Sequence, residues 1–200
     1  MRKSICVFCG SHLGNNPNFE KAARELGARL AGEGRELVYG GSNCGYMGTV
    51  SSAAIEAGGH VVGVIPSFFT DAVIASQPLD EMIMVDSMGE RKRLMAERCD
   101  AFIALPGGVG TLDEITEMLT ANQLGLNIKP IALLNVDGYY DCFIGQMDRL
   151  LRDGLINPTT FKSYFAADNV TDLLRMIDEF DSEVTSDCLW KVRRESGVKL

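Results

Sequence analysis

Short apolar or β-branched runs alternate with helix-patterned stretches along the whole chain, and few folds accept that rhythm. Residues 4–9, 36–39, 60–65, 82–85, 101–105 and 130–134 read as strands, with a weaker one at 164–166. Helical patterns fill the intervals at 17–33, 47–57, 87–98, 111–124, 139–151 and 170–180. The first helix carries its own punctuation: Asn16 as N-cap, Pro17 in the first turn, and Phe19, Ala22, Ala23, Leu26 and Leu30 on one stripe. Gly58 and Gly59 close the second helix, and Pro66 and Pro78 punctuate a loop-like stretch over 66–81. Strict alternation of strand and helix predicts an α/β fold of the Rossmann-like, doubly wound kind, one parallel sheet with helices on both faces. A single domain over residues 1–180 is expected, followed by a polar tail, 181–200, that carries Trp190, Arg193 and Arg194.

A chain of 200 residues can bury a substantial core without disulfides or a structural metal. No apolar run reaches the length of a membrane span. The apolar stretch behind Arg2 and Lys3 is too short for a signal-peptide core, so a cytoplasmic protein with reduced thiols is expected. Cys6-Val7-Phe8-Cys9 has the spacing of a redox pair or of half a zinc site. A redox cysteine belongs at a helix N-terminus, whereas Cys6 falls inside a strand. Cys44, Cys99, Cys142 and Cys188 stand alone, and His12 and His60 are not spaced as ligands, so no metal site is expected. A net charge of −8 offers no positive field to replace the counterions of a nucleic acid, which argues against that partner. A small anion can still be held by a local cluster, and the dense basic group is Arg91-Lys92-Arg93, followed by Arg98.

Ligands of open α/β sheets bind where strands end and helix N-termini point inward. Two strand-to-helix turns fit that position: Tyr39-Gly40-Gly41-Ser42-Asn43-Cys44-Gly45-Tyr46-Met47-Gly48, and Leu105-Pro106-Gly107-Gly108-Val109-Gly110-Thr111. In the second, three glycines in four positions permit positive φ and close approach of a ligand, and the amides of the helix behind Thr111 can hold an anion, naturally a phosphate. Neither turn has the spacing of the dinucleotide fingerprint or of a P-loop. Thr111-Leu112-Asp113-Glu114 also matches a capping box, in which Thr111 caps the helix and Glu114 reaches back to its N–H. A carboxylate beside an anion site repels the anion, and it makes better sense acting on another part of the ligand, such as a sugar. The run from Met88 to Met95 has a helical period with Met88, Leu94 and Met95 inward; such a basic run is commonly a solvated face, but this one directly precedes the strand that delivers the glycine-rich turn.

At these residues the chain resembles the LOG family, the cytokinin riboside 5′-monophosphate phosphoribohydrolases, often mislabelled lysine decarboxylases. Pro106-Gly107-Gly108-Val109-Gly110-Thr111-Leu112-Asp113-Glu114 matches the family's PGGxGTxxE, and Glu90-Arg91-Lys92 its preceding Arg-Lys element. Cys6 to Ser11, Val38 to Gly41 and Leu134 to Tyr140 extend the likeness over roughly residues 4–180. The resemblance implies a homodimeric enzyme without metal or organic cofactor that hydrolyses the N-glycosidic bond of AMP-like nucleotides to free base and ribose 5-phosphate. It implies Arg91 and Glu114 as the catalytic pair. It also implies Gly41, Lys92, Gly107, Gly108, Val109, Gly110, Thr111, Leu112, Asp113 and Thr120 around the substrate and its phosphate, with Gln77 and Met88 as further contacts. Ser42 and Gly89 depart from the family's usual Gly and His, and Gln77 replaces a Glu common in plant members. Two other readings use the same residues. A pyridoxal-dependent decarboxylase needs a Schiff-base lysine, for which Lys92 is the one motif candidate. A non-catalytic carrier of nucleotides or other phospholigands has no use for Glu114 facing the sugar.

Overall fold

The computed structural model describes residues 3–69, 73–74, 78–158 and 162–180; the tail expected at 181–200 lies outside them. The elements run β1 (Ser4–Phe8), α1 (Pro17–Gly32), β2 (Glu36–Tyr39), α2 (Gly45–Glu56), β3 (His60–Pro66), β4 (Glu81–Val85), α3 (Met88–Arg98), β5 (Ala101–Ala104), α4 (Val109–Gln123), β6 (Ile131–Leu134), α5 (Asp141–Arg152), β7 (Tyr164–Ala167) and α6 (Val170–Asp178). A single 3-10 turn, Val136–Gly138, separates β6 from α5. The strands form one sheet in the order β4-β3-β2-β1-β5-β6-β7, and every neighbouring pair is parallel. This is the doubly wound α/β architecture that the alternating pattern predicts.

The period of two along a strand sends alternate side chains to opposite faces, and the core is accordingly double. Ile5, Val7 and Cys9 pack with Leu26 of α1, Val50 of α2 and Leu173 of α6. Cys6 and Phe8 pack with Met95 of α3, Ile115 of α4 and Met147 of α5. Cys6 and Cys9 are thus buried in different layers, and both are free thiols, so the C-x-x-C spacing is core packing.

Helix starts follow local chemistry. Asn16 caps α1 by accepting from the Asn18 amide at 3.0 Å, with Pro17 at the first position. Ser87 caps α3 by accepting from Glu90 N at 3.1 Å. Three starts differ from expectation by two residues, α5 among them, which begins at Asp141 and not at 139. Helix α2 begins at Gly45, not at residue 47, because Gly45 turns the chain at φ +55. A Cβ there would lie 2.4 Å from the His12 amide nitrogen, so this glycine also lets the loop after β1 rest on α2. Helix α4 begins at Val109 with Gly108 as N-cap, two residues before the expected start, so Thr111 is not a cap and Glu114 does not close a capping box.

Helices α1 and α2 meet through Gly27, where an added Cβ would sit 2.2 Å from the Val50 carbonyl oxygen. Backbone cannot yield as a flexible side chain does. Gly27→Ala is therefore expected to lower stability by about 1–3 kcal/mol despite alanine's better helix propensity. A thermal midpoint equal to or above wild type would show that the two helices separate without strain.

Candidate active site

The strand order reverses between β1 and β5, so the chains leaving these two strands diverge and open a crevice at their carboxyl ends. A cavity of about 660 Å3 occupies that place. Its walls come from the loop after β1 (Cys9, Gly10, Ser11, His12), from the turn after β2 (Gly40, Ser42, Cys44) and from the start of α4 (Gly108 to Thr111). Asp113 and Glu114 of α4 and Arg91 of α3 supply its charge, and Met47, Ile65, Phe69, Val73, Met88 and Met95 an apolar side.

At the start of α4, the first intrahelical bond runs from the Leu112 amide to Gly108 O at 3.2 Å, and no side chain caps the preceding amides. The N–H groups from Gly108 to Thr111 therefore face the cavity end without helical partners, with the positive end of the helix dipole behind them. Of the two uses expected of these glycines, positive φ is not found, since none of Gly107, Gly108 and Gly110 takes one, and the absence of a Cβ is what counts. Gly107 is required by close packing: its Cβ would lie 2.1 Å from Thr111 Oγ1 and 2.8 Å from the Gly10 nitrogen. At Gly108 and Gly110 an added Cβ meets nothing within 4 Å, so these two keep the helix start open. Positive φ is used in the other turn, at Gly41 (φ +70).

One turn further along α4, Glu114 is buried and pairs with the buried Arg91, Nη1 to Oε1 at 3.1 Å. Arg91 also donates from Nε to Val64 O at 3.0 Å and from Nη2 to Gly40 O at 3.3 Å. Of the basic run on α3, only Arg91 is buried, beside Met95; Arg93 turns outward to Glu97 at 2.7 Å. Removal from water pushes the Glu114 carboxyl up to about 7, although the Arg91 charge pulls it back down. A group poised near neutrality can exist as either carboxylate or acid in working conditions. Burial, and then the charge of Glu114, holds the Cys9 thiol above its ordinary range, so this cavity-wall cysteine stays protonated.

Several residues expected at the site lie at its margin. Lys92 is absent from the wall; its ammonium is bound to Asp113 at 2.9 Å and Glu117 at 2.6 Å, and these carboxylates raise its pKa. Thr120 is exposed and donates to Thr116 O at 2.8 Å, back along its own helix. Leu112 faces outward, Val109 sits at the rim, and Met88 lines the cavity. Gly41 packs behind the wall, where its Cβ would lie 2.9 Å from that of Ile65. Gln77 falls outside the described residues. Ser42, the departure from the family's Gly, is buried and accepts from the Cys44 amide at 3.1 Å. Gly89 has open space about it. Met47, from the expected turn after β2, does line the wall, whereas sequence reasoning did not place the loop after β1 there. The signal for that loop is the adjacency of β1 and β5, which strand patterns do not reveal.

Fold and site together define a Rossmann-like protein in which an uncapped helix start opens on a buried carboxylate–guanidinium pair. Residues 47–177 match the family described as possible lysine decarboxylase. Cytokinin riboside 5′-monophosphate phosphoribohydrolase LOG7 of Arabidopsis thaliana is 43% identical over 191 residues, covering 94% of this chain and 88% of that protein. The probable cytokinin riboside 5′-monophosphate phosphoribohydrolase LOGL5 of Oryza sativa subsp. japonica is 44% identical over 178 residues, covering 89% and 72%. Among solved structures, the molybdenum cofactor binding protein of the phototrophic bacterium Rippkaea orientalis superposes with a TM-score of 0.68 at 27% identity, covering 90% of this chain and 97% of that one. The chain belongs to the LOG family.

The Glu114 environment sets a pH dependence. Its folded pKa of about 7 lies above the ordinary value of 4.5, so its contribution to stability is fully present below pH 4.5 and is lost as pH rises through 7. The difference in thermal midpoint between wild type and Glu114→Gln should therefore shift against wild type across that window. Carbon-detected NMR of labelled glutamate should show one carboxyl titrating near 7, displaced upward in Arg91→Met. A Glu114 resonance that titrates near 4.5 in both proteins would refute the burial argument.

Proposed function

We propose that the protein hydrolyses the N-glycosidic bond of AMP-like nucleoside 5′-monophosphates, cytokinin riboside 5′-monophosphates among them, to free base and ribose 5-phosphate. The observation that carries this reading is the placement of the buried Glu114 one helical turn beyond the free amides that open α4. Three residues separate Glu114 from Thr111, about 4.5 Å along a helix axis. A 5′-phosphate on the amides puts the ribose, and not the phosphate, over the carboxylate. Family membership supports the same activity, since the curated relatives carry that name.

The chemistry follows from charge. As the bond between C1′ and the base nitrogen breaks, its electron pair leaves with the base and positive charge develops on the ribosyl ring. A carboxylate fixed beside that ring stabilises the cation and accepts a proton from the water that attacks C1′. The departing base nitrogen takes up a proton from solvent and Glu114 later returns its own, so one water is consumed per bond broken. Arg91 keeps Glu114 oriented through its planar fork, whose Nε and Nη2 also donate to Val64 O and Gly40 O. The apolar side formed by Met47, Ile65, Phe69 and Met88 suits a purine and apolar substituents on it.

Other readings fare less well. A Schiff-base lysine must lose its proton, yet Lys92 is clamped by two carboxylates that favour its ammonium form, and among the described residues the cavity wall holds no lysine. A carrier of phospholigands draws support from the likeness to the molybdenum cofactor binding protein. Such a carrier should bind its ligand equally well or better once Glu114 is neutralised. A homodimer is part of the proposal: α4 and the turn behind it expose Val109, Leu112, Leu124 and Leu126, apolar surface suited to a second copy.

Base release should require the 5′-phosphate, with AMP consumed far faster than adenosine, because binding energy at the phosphate positions the distant bond; equal rates would overturn the proposal. Glu114→Gln keeps shape and removes charge, and should lower turnover about a hundredfold or more while the protein stays folded. Arg91→Lys should also impair turnover, since lysine keeps the charge but cannot reproduce the fork. Near wild-type rates in both folded variants would make the pair structural. Light scattering should give twice 21.8 kDa, and a particle of 21.8 kDa would refute the dimer.

A further inference from the structure

Four successive carbonyls of the glycine-rich turn, from Leu105 to Gly108, are each engaged by a donor of the protein. Leu105 O accepts from the Tyr140 hydroxyl at 2.6 Å. Pro106 O accepts from the Gly10 amide at 3.3 Å, and Gly108 O from the Leu112 amide at 3.2 Å. Gly107 O is held by the hydroxyl of Tyr139. These acceptors are thus already occupied, whereas the amides at the start of α4 have no helical partner to give up.

Of these four restraints, the one on Gly107 has the most to hold. The peptide between Gly107 and Gly108 has no Cβ on either side, so rotation of that peptide plane meets little steric resistance. Nor can the sequence stiffen it with a bulkier residue at 107, where a Cβ would strike Thr111 and Gly10. In a trans peptide the C=O and N–H point in opposite directions. With its oxygen fixed on Tyr139, this peptide aims the Gly108 N–H the other way. Gly108 belongs to the cavity wall, whereas Gly107 and Tyr139 do not. A flipped peptide would present a carbonyl oxygen to an anion.

Tyr139 is itself held from two sides. Its ring packs edge-on against Phe19 of α1 at 5.2 Å and against Tyr140 at 5.0 Å. The preceding turn places Asp137 at φ 52, a left-handed conformation, and the Asp137 carboxylate accepts from the side-chain amides of Asn16 at 2.7 Å and Asn18 at 2.9 Å. The start of α1 therefore braces the turn that carries Tyr139.

We propose that Tyr139 is a positioning residue of the phosphate subsite: by holding the Gly107 carbonyl it fixes the Gly107–Gly108 peptide with its N–H toward the substrate phosphate. This inference rests on the proposed phosphate site at the start of α4. Its test is Tyr139→Phe, which keeps the ring and its packing and removes only the hydroxyl. Loss of one such hydrogen bond should raise KM for AMP about fivefold, with kcat changed less, and should raise the inhibition constant of inorganic phosphate by the same factor. The preference for AMP over adenosine should narrow accordingly. A tyrosine that merely supports the fold would, on losing its hydroxyl, slow both substrates together and leave that preference intact. The measurements are made at a temperature where the far-UV spectrum of the variant matches wild type. An unchanged AMP preference and unchanged phosphate inhibition in Tyr139→Phe would overturn the role of Tyr139 alone. A wild-type protein that shows neither AMP preference nor phosphate inhibition would sink the phosphate site and this inference with it.

Discussion

A guanidinium cannot shed its charge, so burying Arg91 obliges the fold to bring acceptors to it. Three arrive from separate elements: Val64 O from β3, Gly40 O from the end of β2, and the Glu114 carboxylate from α4. The ends of two strands and the second turn of a helix are thereby fixed around one point. The constraint reaches the sequence at Gly40, where a Cβ would lie 1.8 Å from Arg91 Nη2. Much of the cavity's shape follows from that cation, because the chain segments that line it must end where the cation needs oxygen atoms.

The pair is not simply a source of stability. Desolvation lifts Glu114 to about 7 even with Arg91 in contact, so the attraction does not fully offset the loss of water. A fold selected for stability alone would fill this place with an apolar pair. Retaining a carboxylate of mid-range pKa in a concave site at the strand ends is what a proton-handling or cation-stabilising role requires. The same tension makes Glu114 sensitive to its neighbours, among which Asp113 raises and Lys92 lowers its pKa.

Much of this arrangement was legible in the residues. Alternating patterns located all seven strands, and the glycine-rich turn after β5 did prove to deliver a helix start to the cavity. Errors came where one pattern serves two structures. Thr111 to Glu114 has the spelling of a capping box, but the helix starts at Val109, and the same three-residue spacing instead puts Thr111 and Glu114 on neighbouring turns of one face. The basic run on α3 mixes roles, since Arg91 is buried while Arg93 is solvated, and only packing against β3 separates them. Of the two roles read for the glycines at 107, 108 and 110, positive φ and room for close approach, the structure uses only the spatial one. Strand order was beyond the reach of local patterns, and with it the contribution of residues 9–12. The expectation of which residues act on the substrate came from the family resemblance rather than from spacing.

The last difficulty is electrostatic: a chain with net charge −8, and with carboxylates at 113, 114 and 117 in the first turns of α4, looks unfit to hold a phosphate at that helix start. Pairing resolves it. Lys92 bridges Asp113 and Glu117, while Arg91 takes Glu114, so two cations one residue apart on α3 answer three acids on α4. The bridge from Lys92 is partly exposed and adds little to stability, but its position matters more than its strength. It reduces repulsion within about a Debye length of the free amides, a range over which salt does not fully screen it. The lysine beside the buried arginine thus need not touch a ligand to serve the site. By offsetting the outer carboxylates it leaves the helix dipole and the unpaired N–H groups as the field that a phosphate would meet in the proposed reaction, with the inner carboxylate left for the sugar.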